Sequence, residues 1–197
     1  MLRKAEKYDS VAVALLHKEG IPTGFLSSLK TDLLAKMYGI IIEDGYCFVY
    51  VQDDCVCGFI TCSTDSKALY KKIVRKNVFG LIPLFLKRIL SVSFIKRSLE
   101  SFLIPFRTGK GERKSEEIMP ELLSIVISKN VQAKGLGTEL LNALEAELRA
   151  GNVKKYKVIA GDNLVSANKF YLKNGFVVKE KLELHKGQIS NVYVKEL

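Results

Sequence analysis

The chain has 197 residues, 48% of them hydrophobic and 26% charged, and its 31 Lys and Arg against 21 Asp and Glu give a net charge of +10 and a pI near 9.4. This is ordinary globular composition at the length of one domain, which excludes wholesale disorder. The basic balance points to an anionic partner: nucleic acid, a membrane surface or a phosphate-bearing ligand.

Residues 2–7 read as a short strand and residues 9–18 as an amphipathic helix, broken by Ile21-Pro22-Thr23-Gly24. A second helix is expected from Ser27 or Ser28 to Tyr38, because Leu29, Leu33, Leu34 and Met37 recur at helical spacing. Glu43-Asp44-Gly45 reads as a turn into a strand over residues 46–51. Asp53-Asp54 then reads as a tight turn into a second strand over residues 55–61, an antiparallel hairpin. Cys47, Cys55, Cys57 and Cys62 fall in this β-prone stretch without CxxC spacing or a nearby histidine, so reduced thiols are expected rather than a metal site.

The charge is concentrated next. Residues 67–107 hold ten Lys and Arg and a single acid, Glu100, which leaves the rest of the chain close to neutral. Val78, Ile82, Phe85 and Ile89 follow helical spacing, so this basic segment is expected to form helical pieces with one apolar face. Residues 109–117 read as a charged linker. The longest uncharged stretch in the apolar part, residues 77–86, is about half the length of a membrane span. The apolar run at residues 11–16 is short for a signal-peptide core. A cytoplasmic location is therefore expected, with peripheral membrane contact through the basic segment as the variant.

Residues 122–128 form a nearly continuous apolar run, expected to be a strand buried on both faces. A helix follows from Gly135 to Ala150 on a stripe of Leu136, Leu140, Leu144 and Leu148, stopped by Gly151-Asn152. A strand at residues 156–160, a short helix at residues 166–174 ended by Gly175, and a hairpin over residues 176–184 and 189–194 complete the order. The arrangement is β-α-α-β-β, insertion, β-α-β-α-β-β.

The loop Gln132-Ala133-Lys134-Gly135-Leu136-Gly137 lies between a strand and a helix. Unpaired N–H groups and the positive dipole end at a helix start suit a diphosphate. Glycines allow close approach and positive φ. A dinucleotide fingerprint would need a third glycine where Leu140 stands, and a P-loop would need Gly-Lys-Ser/Thr.

Together with Asp162-Asn163, Ala167-Asn168-Lys169-Phe170-Tyr171 and Asn174-Gly175-Phe176, this loop resembles the GNAT superfamily of acyl-CoA N-acyltransferases. The likeness is dense over residues 120–176 and weaker over residues 2–61. It implies an α/β (α+β) fold: a mixed, mostly antiparallel central sheet with flanking helices. Residues 1–197 would be one domain, with a basic helical insertion at about residues 66–117, between the third and fourth strands. It further implies acetyl-CoA as cosubstrate, no metal, and an amine acceptor that the sequence does not identify. The diphosphate would sit on Gln132, Ala133, Lys134, Gly135, Leu136, Gly137 and Thr138. The pantetheine arm would follow Ile125, Val126 and Ile127, and Asn163 or Asn168 would bond its end.

Tyr171 matches the family's proton donor to the departing thiolate, since a phenol with a reference pKa of about 10 stays protonated at neutral pH. Glu121 lies eleven residues before Gln132, at the spacing of the glutamate base in the histone-modifying branch. A carboxylate starting a buried strand is also a place for a raised pKa; a solvated strand end is the alternative. His17 and His185 read as surface histidines.

Two functions follow. The first is an N-acetyltransferase acting on a primary amine by direct attack. The second is a CoA-binding module whose basic insertion docks an anionic membrane surface or an acidic partner through residues 67–107. Specific nucleic-acid binding is not expected, because the phenylalanines of the insertion fall on its apolar face.

Overall fold

A computed structural model describes residues 1–88, 118–131, 135–185 and 188–197, with backbone alone at 78–88 and 184–185. The expected element order is observed. Strand β1 (Leu2–Lys4) is shorter than the sequence suggests, because the chain turns into a 3-10 turn at Lys7–Asp9. Asp9 fixes that turn: its carboxylate, 3% exposed, accepts two hydrogen bonds from the Arg3 guanidinium at 2.6 and 2.9 Å and one from the Glu6 backbone N–H.

Helix α1 (Ser10–Gly20) leads through a 3-10 turn at Leu26–Ser28 to α2 (Thr31–Asp44). α2 runs six residues past the expected end at Tyr38. Ile40 and Ile41 continue the buried stripe, and the acids Glu43 and Asp44 at the negative end of the helix pair with Lys7 and Lys72. Gly45 then makes the turn alone, since a Cβ there would meet the Cys62 carbonyl at 2.6 Å.

β2 (Tyr46–Gln52) and β3 (Cys55–Ser63) form the expected hairpin, with Asp53 and Asp54 both left-handed at φ 50° and 58°. That is the geometry of a turn whose twist matches the strands. Helix α3 (Ser66–Arg88) follows as one continuous helix over the first part of the basic segment; residues 89–117, including the expected linker, lie outside the described residues. Beyond it come β4 (Glu121–Ile127), a 3-10 turn at Lys129–Val131, α4 (Leu136–Ala150), β5 (Lys155–Gly161), α5 (Val165–Lys173), β6 (Val177–His185) and β7 (Gln188–Glu196). The end of α4 is formed differently from expectation. Asn152, at φ 59°, takes the left-handed position, while Gly151 makes room for the Tyr46 hydroxyl.

The seven strands lie in the order β1-β2-β3-β4-β5-β7-β6, with every pairing antiparallel except β4 with β5. On one face α1, α2 and the start of α3 pack over Val49, Phe59 and Val126. On the other, the leucine stripe of α4 packs over Phe48, Ile60, Leu122 and Val158. Each fully buried leucine on that stripe contributes about 2 kcal/mol. A buried carboxylate, Glu145, ties α4 to the sheet by accepting hydrogen bonds from Tyr156 at 2.6 Å and Lys195 at 2.5 Å.

Cys47 and Cys62 are buried, Cys57 is half-buried and Cys55 is exposed, all as free thiols. Burial pushes the Cys47 and Cys62 thiols up to about 12, which keeps them uncharged.

Candidate active site

The site is set by a change in how β4 pairs. Against β3 its register runs from Ile127 opposite Gly58 to Ser124 opposite Thr61, and then skips Leu123 to place Leu122 opposite Cys62. The extra residue is a β-bulge, and it turns Leu123 and Ser124 to the same side of the sheet. Leu122, Ile125 and Ile127 pack toward α4, whereas Leu123 and Val126 belong to the core under α1 and α2. β4 is therefore not uniformly buried on both faces as its apolar run suggests: Leu122, Ser124 and Val126 are buried and the residues between them half-buried.

On its other edge β4 pairs with β5 only at Glu121 with Lys157 and Leu122 with Val158. After Leu122 the pairing of the two parallel strands ends, so residues 123–127 and the end of β5 part as the arms of a V. Ile125, Val126 and Ile127 lie along one arm of this V.

The chain continues from the open end of the V to α4. Gly135 caps that helix in the left-handed region at φ 78°, and nothing lies within 4 Å of where its Cβ would stand. The Thr138 and Glu139 N–H groups bond the Gly135 carbonyl at 2.9 and 3.1 Å, and no partner among the described residues takes the N–H groups of Leu136 and Gly137. An open backbone surface at a helix N-terminus fits a diphosphate. Gly137 has a different reason from the one expected of it. A Cβ there would press on the Phe170 ring at 3.1 Å, so this glycine serves the contact between α4 and α5. Thr138 donates its hydroxyl hydrogen to Asn174 Oδ1 at 3.2 Å. Gln132, Ala133 and Lys134 lie outside the described residues.

Tyr171 sits on the α4 face, 5% exposed, with its ring against Phe170, Phe176 and Tyr193. Burial raises its phenol further above the ordinary value, so it remains a proton carrier across the accessible pH range. Asn168 and Asn163 separate clearly. The Asn168 amide donates to the carbonyls of Gly161 and Asp162, both at 3.0 Å, and its oxygen accepts the Tyr193 hydroxyl at 2.8 Å. Its side chain therefore holds the β5–α5 turn in place, whereas Asn163 is exposed in that turn. Asn191, opposite Ala160, keeps a buried Oδ1 with no donor among the described residues.

Glu121 stands at the closed end of the V. Its carboxylate accepts a hydrogen bond from Ser66 Oγ at 2.9 Å and lies 3.8 Å from Lys157 Nζ, so it is paired rather than isolated in an apolar strand end.

The structure also places a residue that the sequence reading misjudged. His17 is 3% exposed and buried between α1 and α2, not on the surface. Its Nδ1 lies 2.5 Å from the Tyr38 hydroxyl, and burial, with a smaller effect from Lys18, pushes the imidazole down to about 4. The ring is neutral at neutral pH and shares one hydrogen bond with Tyr38, whose hydroxyl also bonds the Ser124 side chain. The signal was present in the sequence: His17 lies four residues after Val13 and three before Gly20, on the stripe that packs against Val126. Beside Tyr38, a cavity of about 30 Å³ lies between α2, α3 and the bulge of β4. The side chain of His185 is outside the described residues. Among the described residues no group of three or more His, Cys, Asp or Glu is clustered for a metal ion.

Comparison with known proteins agrees with this geometry. Residues 106–178 match the family model for the acetyltransferase (GNAT) domain. A solved structure described as an acetyltransferase of the GNAT family from Desulfovibrio desulfuricans superposes with a TM-score of 0.63 at 13% identity, covering 100% of this chain and 98% of that one. Ard1 from Thermoplasma volcanium gives 0.62 at 14% identity, covering 100% and 97%. The PaiA N-acetyltransferase from Thermoplasma acidophilum, solved in complex with coenzyme A, gives 0.62 at 12% identity, covering 100% and 98%. No curated protein matches the sequence significantly. With a sheet that parts between its two parallel strands and a glycine-capped helix at the open end, the chain has the fold of these acetyltransferase structures, and its residues 106–178 match the GNAT domain model.

Proposed function

We propose that the protein transfers the acetyl group of acetyl-CoA to a primary amine by direct attack. The observation that carries this reading is the parting of β4 from β5 after Leu122, with the glycine-capped end of α4 at the open end. In this reading the diphosphate lies on the N–H groups from Gly135 to Gly137 beside Thr138, joined by the loop residues before them. The pantetheine arm follows residues 125–127, and Asn163 is the asparagine left to meet it. The thioester then lies near the bulge, where both faces of the sheet are within reach.

The amine nitrogen forms a bond to the acyl carbon, the C–S bond breaks, and the thiolate takes a proton from Tyr171. The amine's own proton leaves through solvent to Glu121. Holding both substrates in one cleft supplies much of the rate through proximity. The described start of α3 packs Leu69 and Ile73 into the core over α2, which favours an insertion built into the domain over one reserved for an anionic surface.

Thiol release from acetyl-CoA in the presence of amines, with calorimetric titration of CoA, tests the proposal. Tyr171→Phe is expected to lower kcat about a hundredfold at unchanged CoA affinity, and Glu121→Gln to lower it most at the acid end of the pH profile. No binding of acetyl-CoA would overturn the reading, and a Tyr171→Phe enzyme of full activity would remove the acid.

A further inference from the structure

The cavity beside the bulge has a chemistry of its own. α2 contributes Leu34, Met37 and Ile41, α3 contributes Ile73, and the bulge contributes Leu123. The polar groups among its described lining are three hydroxyls, those of Tyr38, Tyr70 and Ser124, and no charged side chain is among them. Two of the lining residues, Leu123 and Ser124, are the pair that the bulge turns to this side, at the level where β5 leaves β4.

From this juxtaposition we infer that the cavity is the subsite for the aliphatic end of the acceptor, and that the preferred acceptor is a primary amine bearing a short uncharged alkyl group. The inference rests on the acetyl-transfer reading above and deepens it. Size supports it: about 10–15 Å³ accommodates one water-sized probe, so a cavity of about 30 Å³ takes an aliphatic stub of two or three heavy atoms. Polarity supports it as well. No carboxylate is among the described lining side chains, and a buried charge without a partner is strongly disfavoured.

Tyr38 has a positioning part in the same subsite. Its hydroxyl lies 2.5 Å from His17 Nδ1 and also hydrogen-bonds the Ser124 side chain, so the phenol is held fixed in the cavity wall. The insertion thereby acquires a role: Tyr70 and Ile73 of α3 close the wall of a subsite that α2 and the bulge leave open.

The test is a series of amines assayed on the full-length protein with saturating acetyl-CoA, compared at equal free-base concentration. Propylamine and 1,3-diaminopropane differ by one terminal charge at the same length, and methylamine lacks the alkyl stub. Propylamine is expected to show kcat/KM at least tenfold above each of the others. Leu26→Trp, at the half-buried rim of the cavity, is expected to raise KM for propylamine several-fold while leaving methylamine and acetyl-CoA affinity unchanged.

Equal or better turnover of the diamine overturns the subsite. So does a protein that binds acetyl-CoA and acetylates none of the three. A protein that fails to bind acetyl-CoA removes the acetyl-transfer reading itself, so the two failures are read on separate axes.

Discussion

His17 joins α1 to α2 through its hydrogen bond with Tyr38, and its burial makes stability depend on pH. In the unfolded chain the imidazole titrates near 6.5; in the folded protein burial pushes it down to about 4. Between these values the unfolded state holds more protons, so stability rises with pH through this window. The contribution is complete above about 6.5 and is lost as the pH falls toward 4, with a total on the order of 3 kcal/mol. Asp9 acts below that window, because Arg3 and the Glu6 N–H hold its carboxylate under the usual value despite burial. The expected outcome is a melting temperature that falls steeply from pH 6.5 to pH 4 in the wild type and distinctly less in His17→Asn. The asparagine amide offers both a donor and an acceptor at the place of Nδ1, so the bond to Tyr38 is kept in either direction. Parallel melting curves for the two proteins across this range would show that the buried imidazole carries no such linkage.

At the scale of elements, the glycines of the α4 cap divide the labour that the sequence pattern assigns jointly to a phosphate loop. Gly135 is required by its φ of 78° and by nothing around it, whereas Gly137 is required by the Phe170 ring. Gly135→Ala is therefore expected to cost about 1 kcal/mol from the left-handed conformation alone. Gly137→Val must displace Phe170, and with it the α5 helix that carries Tyr171, so it is expected to cost more in denaturant midpoint and to lower turnover. A larger loss for Gly135→Ala than for Gly137→Val would reverse this division.

The same contrast explains what could be read from residues. The hairpin at Asp53-Asp54, the leucine stripe of α4 and the stop at Gly175 are local patterns, and each formed where expected. The bulge at Leu123 is one unpaired residue inside an apolar run, which leaves no mark in composition. The parting of β4 from β5 is a property of two strands with more than thirty residues of sequence between their starts. Asn168 matched a motif, but its hydrogen bonds to Gly161, Asp162 and Tyr193 are made by three elements at once. His17 could have been recognised from its place on the α1 stripe; its partner Tyr38 could not, because only the packing of α1 on α2 brings them together.

For the whole molecule, the net charge of +10 and the core are separable, and α3 is where they meet. Leu69 and Ile73 are buried against α2, at 4% and 0% exposure, while Lys67, Lys71, Arg75 and Lys76 on the same helix face outward. Lys72 is the exception, paired with Asp44 at the end of α2. If the insertion were held to the domain by its charge, neutralising the outward residues would loosen it. If the apolar stripe holds it, they are free to serve a partner. Surface substitutions away from any network usually change stability by no more than about 0.5 kcal/mol, whereas truncating a buried isoleucine costs about 2–5 kcal/mol. Ile73→Ala is therefore expected to lower unfolding free energy by several kcal/mol in urea titration, and Lys67, Lys71, Arg75 and Lys76 changed together to Gln to leave it nearly unchanged. The quadruple variant should nonetheless show weaker binding to vesicles of anionic lipid, by about 1 kcal/mol for each charge that approaches the surface. A stability loss in the quadruple variant comparable to that of Ile73→Ala would mean that the charge is part of the fold after all. Vesicle binding unchanged from wild type would confine the role of these cations to solvation.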